Sequence, residues 1–314
     1  MVKNANRRIK SVIGIISEGK TGWEIRVVPR ESEFNRKGRI NRRGLSVGRR
    51  IMRDYRKEFD RRVEWLGKRL EETGAKGFVY GNSGGKDCTL VGILCRAASE
   101  NTLGVIMPCE SKRNYGEDRQ HALLVAEKFG IETVEIDLSA VKKAFSQAVG
   151  AVSEPSDIAK ANINPRLRMT ALYCVAQTRG ALVVGTGNKS ELTMGYFTKW
   201  GDGASDVNPI ADLTVTEIFE FLRYLGAPDV IINKAPSAGL WEGQTDEQEM
   251  GVTYAEVDAF IRGESLPKEV GRRISSANER SAHKRRMPVF YPEGSPAEVL
   301  CGAAKKPSPD ENRD

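Results

Sequence analysis

"GFVYGNSGGKDCTLVGILCRAA", residues 77–98, decides the fold of this chain. A short apolar run ends in a glycine-rich turn, and the turn leads directly into a segment with helical apolar spacing. The stretch therefore reads as a buried strand, a loop and a helix over 86–98. The same rhythm returns downstream. "LGVIMP" (103–108) and "ETVEIDL" (132–138) read as strands, with helices expected over 118–129, 141–149 and 162–178, and "ALVVGTGN" (181–188) supplies another strand and turn. This alternation predicts an α/β fold, a Rossmann-like doubly wound parallel sheet with helices on both faces. Ligands in such sheets sit beyond the carboxyl ends of the strands, where the glycine loops lie. Further helices are expected over 214–225 and 254–262, with the loop "APSAGLWEGQTDEQEMG" between them.

Ahead of this body, "SVIGIIS" (11–17) and "WEIRVVP" (23–29) flank "EGKTG" and predict a small β-ribbon. A basic, glycine-punctuated run follows, then a helix expected over 47–72 with Ile51, Tyr55, Phe59, Val63, Leu66 and Leu70 on one stripe and its arginines facing water. The domain reading is a basic ribbon and arm (1–45), a leading helix (46–76), a catalytic domain (77–290) and a polar, proline-containing tail (291–314) expected to be disordered. No internal repeat is found.

The 314 residues are 39% hydrophobic and 29% charged, as in a globular protein with a full core. Charge is unevenly spread: the first 70 residues hold 21 Lys and Arg against 8 Asp and Glu, a net of +13 that leaves −6 on the remaining 244. A basic front section of this kind suits nucleic acid, an anionic substrate or a solvated surface. The five cysteines (Cys88, Cys95, Cys109, Cys174, Cys301) contain no CxxC pair, which argues against a disulfide framework and a structural zinc site. No apolar run is long enough for a membrane span and the amino terminus is too polar for a secretory signal, so a cytoplasmic protein is expected.

The glycine loop is not a Walker loop, because three residues rather than four separate Gly81 from Gly85 and Asp87 follows Lys86. It is not GxGxxG either. What remains is a strand, a turn and a helix amino terminus, whose free N–H groups and positive dipole end bind anions. Gly81, Asn82, Ser83, Gly84, Gly85, Lys86, Asp87 and Cys88 are the candidate phosphate cradle. A carboxylate beside phosphates needs an intervening cation, which makes Asp87 a candidate Mg²⁺ ligand. On these residues alone an ordinary turn capped by Asp stays open.

"SGGKDC" resembles the SGGxDS pyrophosphate loop of the ATP pyrophosphatases, which cleave ATP between its α and β phosphates. "NINPRLRM", "GTGNKSE", "GYFTKWGDGASDVNPI", "PSAGLWEGQTDEQEMG" and a late "HKR" are similar to motifs of the NAD synthetases, in order from about residue 77 to 288. The resemblance implies amidation of nicotinate adenine dinucleotide (deamido-NAD): its carboxylate attacks the α-phosphate of ATP, pyrophosphate leaves, and ammonia displaces AMP from the acyl-adenylate. It implies Mg²⁺ held by Asp87 and Glu191, and ATP touched by Thr186 and Ser237. It also implies substrate contacts from Arg166, Phe197, Lys199, Asp206, His283 and Lys284, with Asp202 and Asp206 as candidates for orienting the amine. A homodimer is implied as well.

Three features depart from the pattern. Cys88 replaces the loop serine, and Val215 stands where a lysine directed at ATP phosphate is usual, a charge that Lys86 is placed to supply. The basic section before Gly77 matches neither the catalytic domain nor a nitrilase-type glutaminase, so free ammonia or a separate ammonia-supplying glutaminase is expected as nitrogen source. The competing readings are a paralogue amidating another carboxylate, a non-catalytic nucleotide-binding protein and a tRNA-modifying ATP pyrophosphatase. Against the last, paired catalytic cysteines are missing and "YFTKWGDG" and "LWEGQTDE" have no reason to be present.

Overall fold

The computed structural model describes residues 15–19, 22–26, 53–110, 115–234 and 246–289. It divides into two units, Met1–Met52 and Arg53–Asp314. In the first, β1 (Ile15–Gly19) and β2 (Gly22–Arg26) pair antiparallel with Gly19 opposite Gly22, the expected ribbon. The rest of the expected arm, the expected helix up to residue 52, and the tail over 291–314 lie outside the described residues.

The second unit opens with α1 (Tyr55–Thr73), which starts later than the spacing predicts. Asp54 is extended and its side chain accepts from the Lys57 N–H, a cap that fixes the helix start at Tyr55. Leu66 is buried, and Tyr55, Phe59, Val63 and Leu70 pack beside it. Not all arginines of this region face water, as the sequence reading had them. Arg53 pairs with Glu217 at 2.7 Å and with Asp212 at 3.1 Å, while Arg62, only 12% exposed, bonds Asp212, Glu58 and the Pro209 carbonyl. Acids about 150 residues downstream recruit them, and local spacing carries no trace of that.

The core is a four-stranded parallel sheet, β3 (Phe78–Gly81), β4 (Thr102–Ile106), β5 (Glu132–Glu135) and β6 (Leu182–Val184), in the order β5-β4-β3-β6. Helices α2 (Lys86–Ala98) and α3 (Glu117–Phe129) link the first three strands. Helices α4 (Ser139–Gly150), α5 (Asp157–Ala161) and α6 (Ile163–Arg179) carry the chain back to β6. Period-two alternation sends Phe78 and Tyr80 into a core with α1, α2 and α3, and Val79 into a second core with α6. Helices thus cover both faces, as expected. Beyond β6 come α7 (Lys189–Met194), α8 (Val215–Tyr224), α9 (Asp229–Ile232), α10 (Asp246–Met250), α11 (Tyr254–Ile261) and α12 (Lys268–Arg280), then a 3₁₀ turn at Ala282–Arg285. Among the described residues no helix is long and apolar enough to cross a membrane.

The order reverses between β3 and β6: the chain builds outward from β3 to β5, then returns to the other side of β3. Their connections therefore leave in opposite directions and open a crevice at the carboxyl ends, which is where such sheets bind ligands.

Tyr80 is fully buried, and among the described residues its hydroxyl has no hydrogen-bond partner. A Cβ on Gly92 would lie 2.3 Å from that oxygen, so the glycine in α2 makes room for the ring. Tyr80→Phe is expected to raise unfolding stability by about 1 kcal/mol, since an unpaired buried hydroxyl is lost. Gly92→Ala is expected to lower it by about 1–3 kcal/mol through overpacking, despite alanine's better helix propensity. Urea unfolding of both variants and their combination checks this: the Gly92→Ala penalty should shrink in the Tyr80→Phe background, and strict additivity would refute the contact.

Candidate active site

A cleft of about 670 Å³ opens at the crevice between β3 and β6. On one side, the loop after β3 enters α2. Gly84 takes φ +68°, and a Cβ there would sit 2.2 Å from the Asp118 carbonyl, so only glycine lets the loop lie against α3. Asn82 braces the turn, its Oδ1 accepting from the Gly84 N–H at 3.3 Å and its Nδ2 donating to the Ala122 carbonyl at 3.3 Å. Cys88 lies within the turn, its Sγ 3.2 Å from the Gly85 N–H and 3.4 Å from Ser83 Oγ. Burial pushes the Cys88 thiol up, so it stays protonated near neutrality and serves as a turn residue rather than a nucleophile.

On the other side, the turn after β6 enters α7. Asn188 caps this helix reciprocally with Glu191: its Oδ1 accepts from the Glu191 N–H at 2.9 Å, and the Glu191 carboxylate accepts from the Asn188 N–H at 3.0 Å. Asn188 Nδ2 also donates to Asp87 Oδ1 at 3.1 Å, which ties the two loops together across 101 positions. Reading the sequence did not single out Asn188, although the Asn-x-x-Glu spacing of a capping box was visible in "GTGNKSE".

Lys86 is the central charge of this region. It is 7% exposed, its Nζ donates to Asp87 Oδ2 at 2.8 Å, and it lies 5.5 Å from the centroid of the Tyr254 ring. Burial alone would lower its pKa, but Asp87, Glu191 and Asp246 outweigh that and raise it, so the ammonium is permanent. Glu191 is held well above the usual carboxylate range, first by burial and then by the neighbouring Asp87, with Lys86 opposing. Asp246, which accepts from the Tyr254 hydroxyl at 2.9 Å, and Tyr254 itself were also missed by the sequence reading. So was Lys234, which donates to Asp118 at 2.6 Å on the cleft wall.

The remaining candidates divide. Gly81, Asn82, Ser83, Gly85, Thr186, Glu191, Phe197, Asp202 and Lys284 line the same cleft as Asp87. Lys284 Nζ donates to the Gly195 and Phe197 carbonyls at 2.8 Å each and lies 5.4 Å from the Phe197 ring centroid, so it fixes the ring. Asp202 accepts from the Thr198 N–H at 2.9 Å and stays solvent-accessible. Arg166, Lys199, Asp206 and His283 are not among the residues lining this cleft. Asp206 instead accepts from the Val183 N–H at 2.8 Å and from the Tyr173 hydroxyl at 3.3 Å. Arg166 and His283 are exposed. Ser237 lies outside the described residues. Val215, the first residue of α8, is 3% exposed and belongs to the buried core rather than the cleft wall.

Asp87 and Glu191 line one cleft and are both bonded to Asn188, and their hard carboxylate oxygens are a donor set that fits Mg²⁺ sharing its shell with phosphate oxygens and water. Among the described residues no group of three or more His, Cys, Asp or Glu encloses a metal unaided.

Residues 58–288 match the NAD synthase family. The NH₃-dependent NAD⁺ synthetase of Carboxydothermus hydrogenoformans is 43% identical over 238 residues, covering 75% of this chain and 97% of that one. The enzyme of the same name from Archaeoglobus fulgidus is 44% identical over 241 residues, covering 75% and 96%. Among solved structures, the NMN synthetase from Francisella tularensis superposes with a TM-score of 0.72 at 38% identity, covering 76% of this chain and 99% of that one. A parallel sheet reversing at β3 and β6, a glycine loop ending in Asp87 and a match of this length agree with one another: the chain belongs to the NAD synthase family.

Proposed function

We propose that the protein amidates deamido-NAD to NAD, with ATP and ammonia as co-substrates and AMP and pyrophosphate as co-products. The observation that carries this reading is the convergence of Asp87 and Glu191, joined by the buried Asn188 that lies 101 positions from Asp87, at a cleft that also holds Phe197, Asp202 and Lys284. The N–H groups and dipole of α2 receive the pyrophosphate end of ATP, with Lys86 as added countercharge. Asp87 and Glu191 hold Mg²⁺, which when bound neutralises charge on the phosphates. Phe197, fixed by Lys284, stacks on the pyridine ring and sets its carboxylate toward the α-phosphate. That oxygen attacks the phosphorus as the α–β bridge breaks. Ammonia then attacks the acyl carbon, loses a proton and expels AMP. Asp202, solvent-accessible at the cleft wall, is the group we assign to orienting ammonia.

Arg166, Lys199, Asp206 and His283 are assigned to the dinucleotide in an assembled homodimer. Val141, Phe145, Val152 and Ile158 support this assembly. They are exposed by 50%, 46%, 90% and 77%, and Ile158 also lines the cleft, so a second copy seated here would cover apolar surface at the mouth. We place the enzyme in the cytoplasm with free ammonia, or ammonia from a separate glutaminase, as nitrogen source.

A second reading is favoured by the likeness to an NMN synthetase: the acid amidated is the mononucleotide. Incubation with each acid, ATP, Mg²⁺ and ammonium, followed by chromatography, separates the two. NAD, AMP and pyrophosphate in equal amounts, with higher kcat/KM for the dinucleotide acid, is the expected outcome. Preference for the mononucleotide acid establishes the second reading, and no pyrophosphate with either acid rejects both.

A further inference from the structure

We propose that Asp258 is a positioning residue for Glu191, acting through Ser190 and setting the direction in which the Glu191 carboxylate faces the cleft. The inference rests on the reading of Glu191 as a metal ligand.

Asp258 lies within α11 and is 0% exposed. A buried carboxylate is costly unless its oxygens are bonded, and here both are. Ser190 Oγ donates to Oδ1 at 2.5 Å, while the Thr216 N–H and hydroxyl donate to Oδ2 at 2.9 and 2.6 Å. Ser190 Oγ in turn accepts from the Val215 N–H at 3.1 Å, which closes a ring of bonds through three helices. The donors come from the first turns of α7 and α8, whose positive dipole ends favour a negative charge there.

The ring controls a helix that cannot hold itself. At six residues, α7 is too short to be stable alone. Its front is tied to Asp87 through Asn188, and its back to Asp258 through Ser190. Ser190 and Glu191 are consecutive, so they leave the helix about 100° apart. The bond at Ser190 acts with those from Asn278 to the Thr193 carbonyl and from Arg285 to the Leu192 carbonyl, and as the one adjacent to Glu191 it sets the aim of that carboxylate. A roll of about 20° would move a carboxylate at the helix surface by about 2 Å, enough to spoil a metal shell. Four positions earlier on α11, Tyr254 presents its ring to Lys86 and its hydroxyl to Asp246. One helix thus braces both sides of the charged cluster.

The test compares wild type, Asp258→Asn and Ser190→Ala. Mn²⁺·ATP binding is read by electron paramagnetic resonance, and KM for Mg·ATP is measured separately from KM for the acid. Both variants should bind Mn²⁺ in the ATP complex about tenfold more weakly and raise KM for Mg·ATP, with KM for the acid unchanged. A merely structural role would lower the melting temperature and leave the metal midpoint in place. Ser190→Ala carries no charge change, so a shift there cannot come from losing the Asp258 charge, and it decides alone if Asp258→Asn does not fold. Wild-type Mn²⁺·ATP affinity in the folded variants overturns the inference. Wild type failing to bind Mn²⁺·ATP overturns the Glu191 reading and this inference with it.

Discussion

Asp87→Asn is expected to leave a folded protein whose kcat/KM for ATP falls by about 10³-fold, the scale of losing a preorganised electrostatic contact in a desolvated site. Asparagine keeps the volume and can still accept from Asn188, so the turn and α2 should survive. What disappears is the charge that meets Lys86 at 2.8 Å and, in the proposed mechanism, one of two metal ligands. Glu191→Gln should act in the same step, so the double variant should lose little more than the first alone. Steady-state kinetics at several Mg²⁺ concentrations, with circular dichroism as the folding control, checks both. A decrease under tenfold for Asp87→Asn would remove that residue from the machinery.

Lys86→Ala carries the second-largest expected effect, a decrease in kcat/KM of about 10²-fold. The charge it supplies has no substitute at Val215, which is closed into the core with its N–H bonded to Ser190. Without the ammonium, Asp87, Glu191 and Asp246 repel one another and the phosphates. The variant should therefore melt earlier than wild type in buffer, and millimolar Mg²⁺ should raise its melting temperature more than it raises that of wild type. An unchanged rate would sink the assignment of Lys86 to the pyrophosphate. Lys86→Arg should retain part of the activity, because charge persists while the planar head fits the confined site poorly.

The strands and most helices could be read from the chain because apolar spacing is a local signal. "GFVYG" and "TLVGILC" announce β3 and α2 with no knowledge of partners. Helix α12 was missed because its core stripe is thin, Val270, Ile274 and Ala277 among charged and polar residues. Asp87 and Glu191, both within quoted motifs, line one cleft. Contacts that depend on strand order do not show themselves in advance. The bond from Asn188 to Asp87 exists only because β6 pairs with β3, and the ring around Asp258 joins residues 68 positions apart. Asp206 shows a related limit: the family resemblance implies a carboxylate for the substrate but cannot say that its oxygens are already engaged by Val183 and Tyr173.

The pairing of Phe78 with Leu182 has a consequence for how the protein is made. During synthesis, β3, α2, β4, α3 and β5 can assemble as their residues emerge, since each contacts near neighbours in sequence. The β3–β6 pair closes a loop of about a hundred residues, a step that carries the entropy of a long closure and slows folding. Until it closes, the glycine turn has no Glu191 opposite it. In the proposed mechanism nucleotide affinity is therefore a property of the completed domain, and nascent chains that end before β6 present the glycine turn without Glu191.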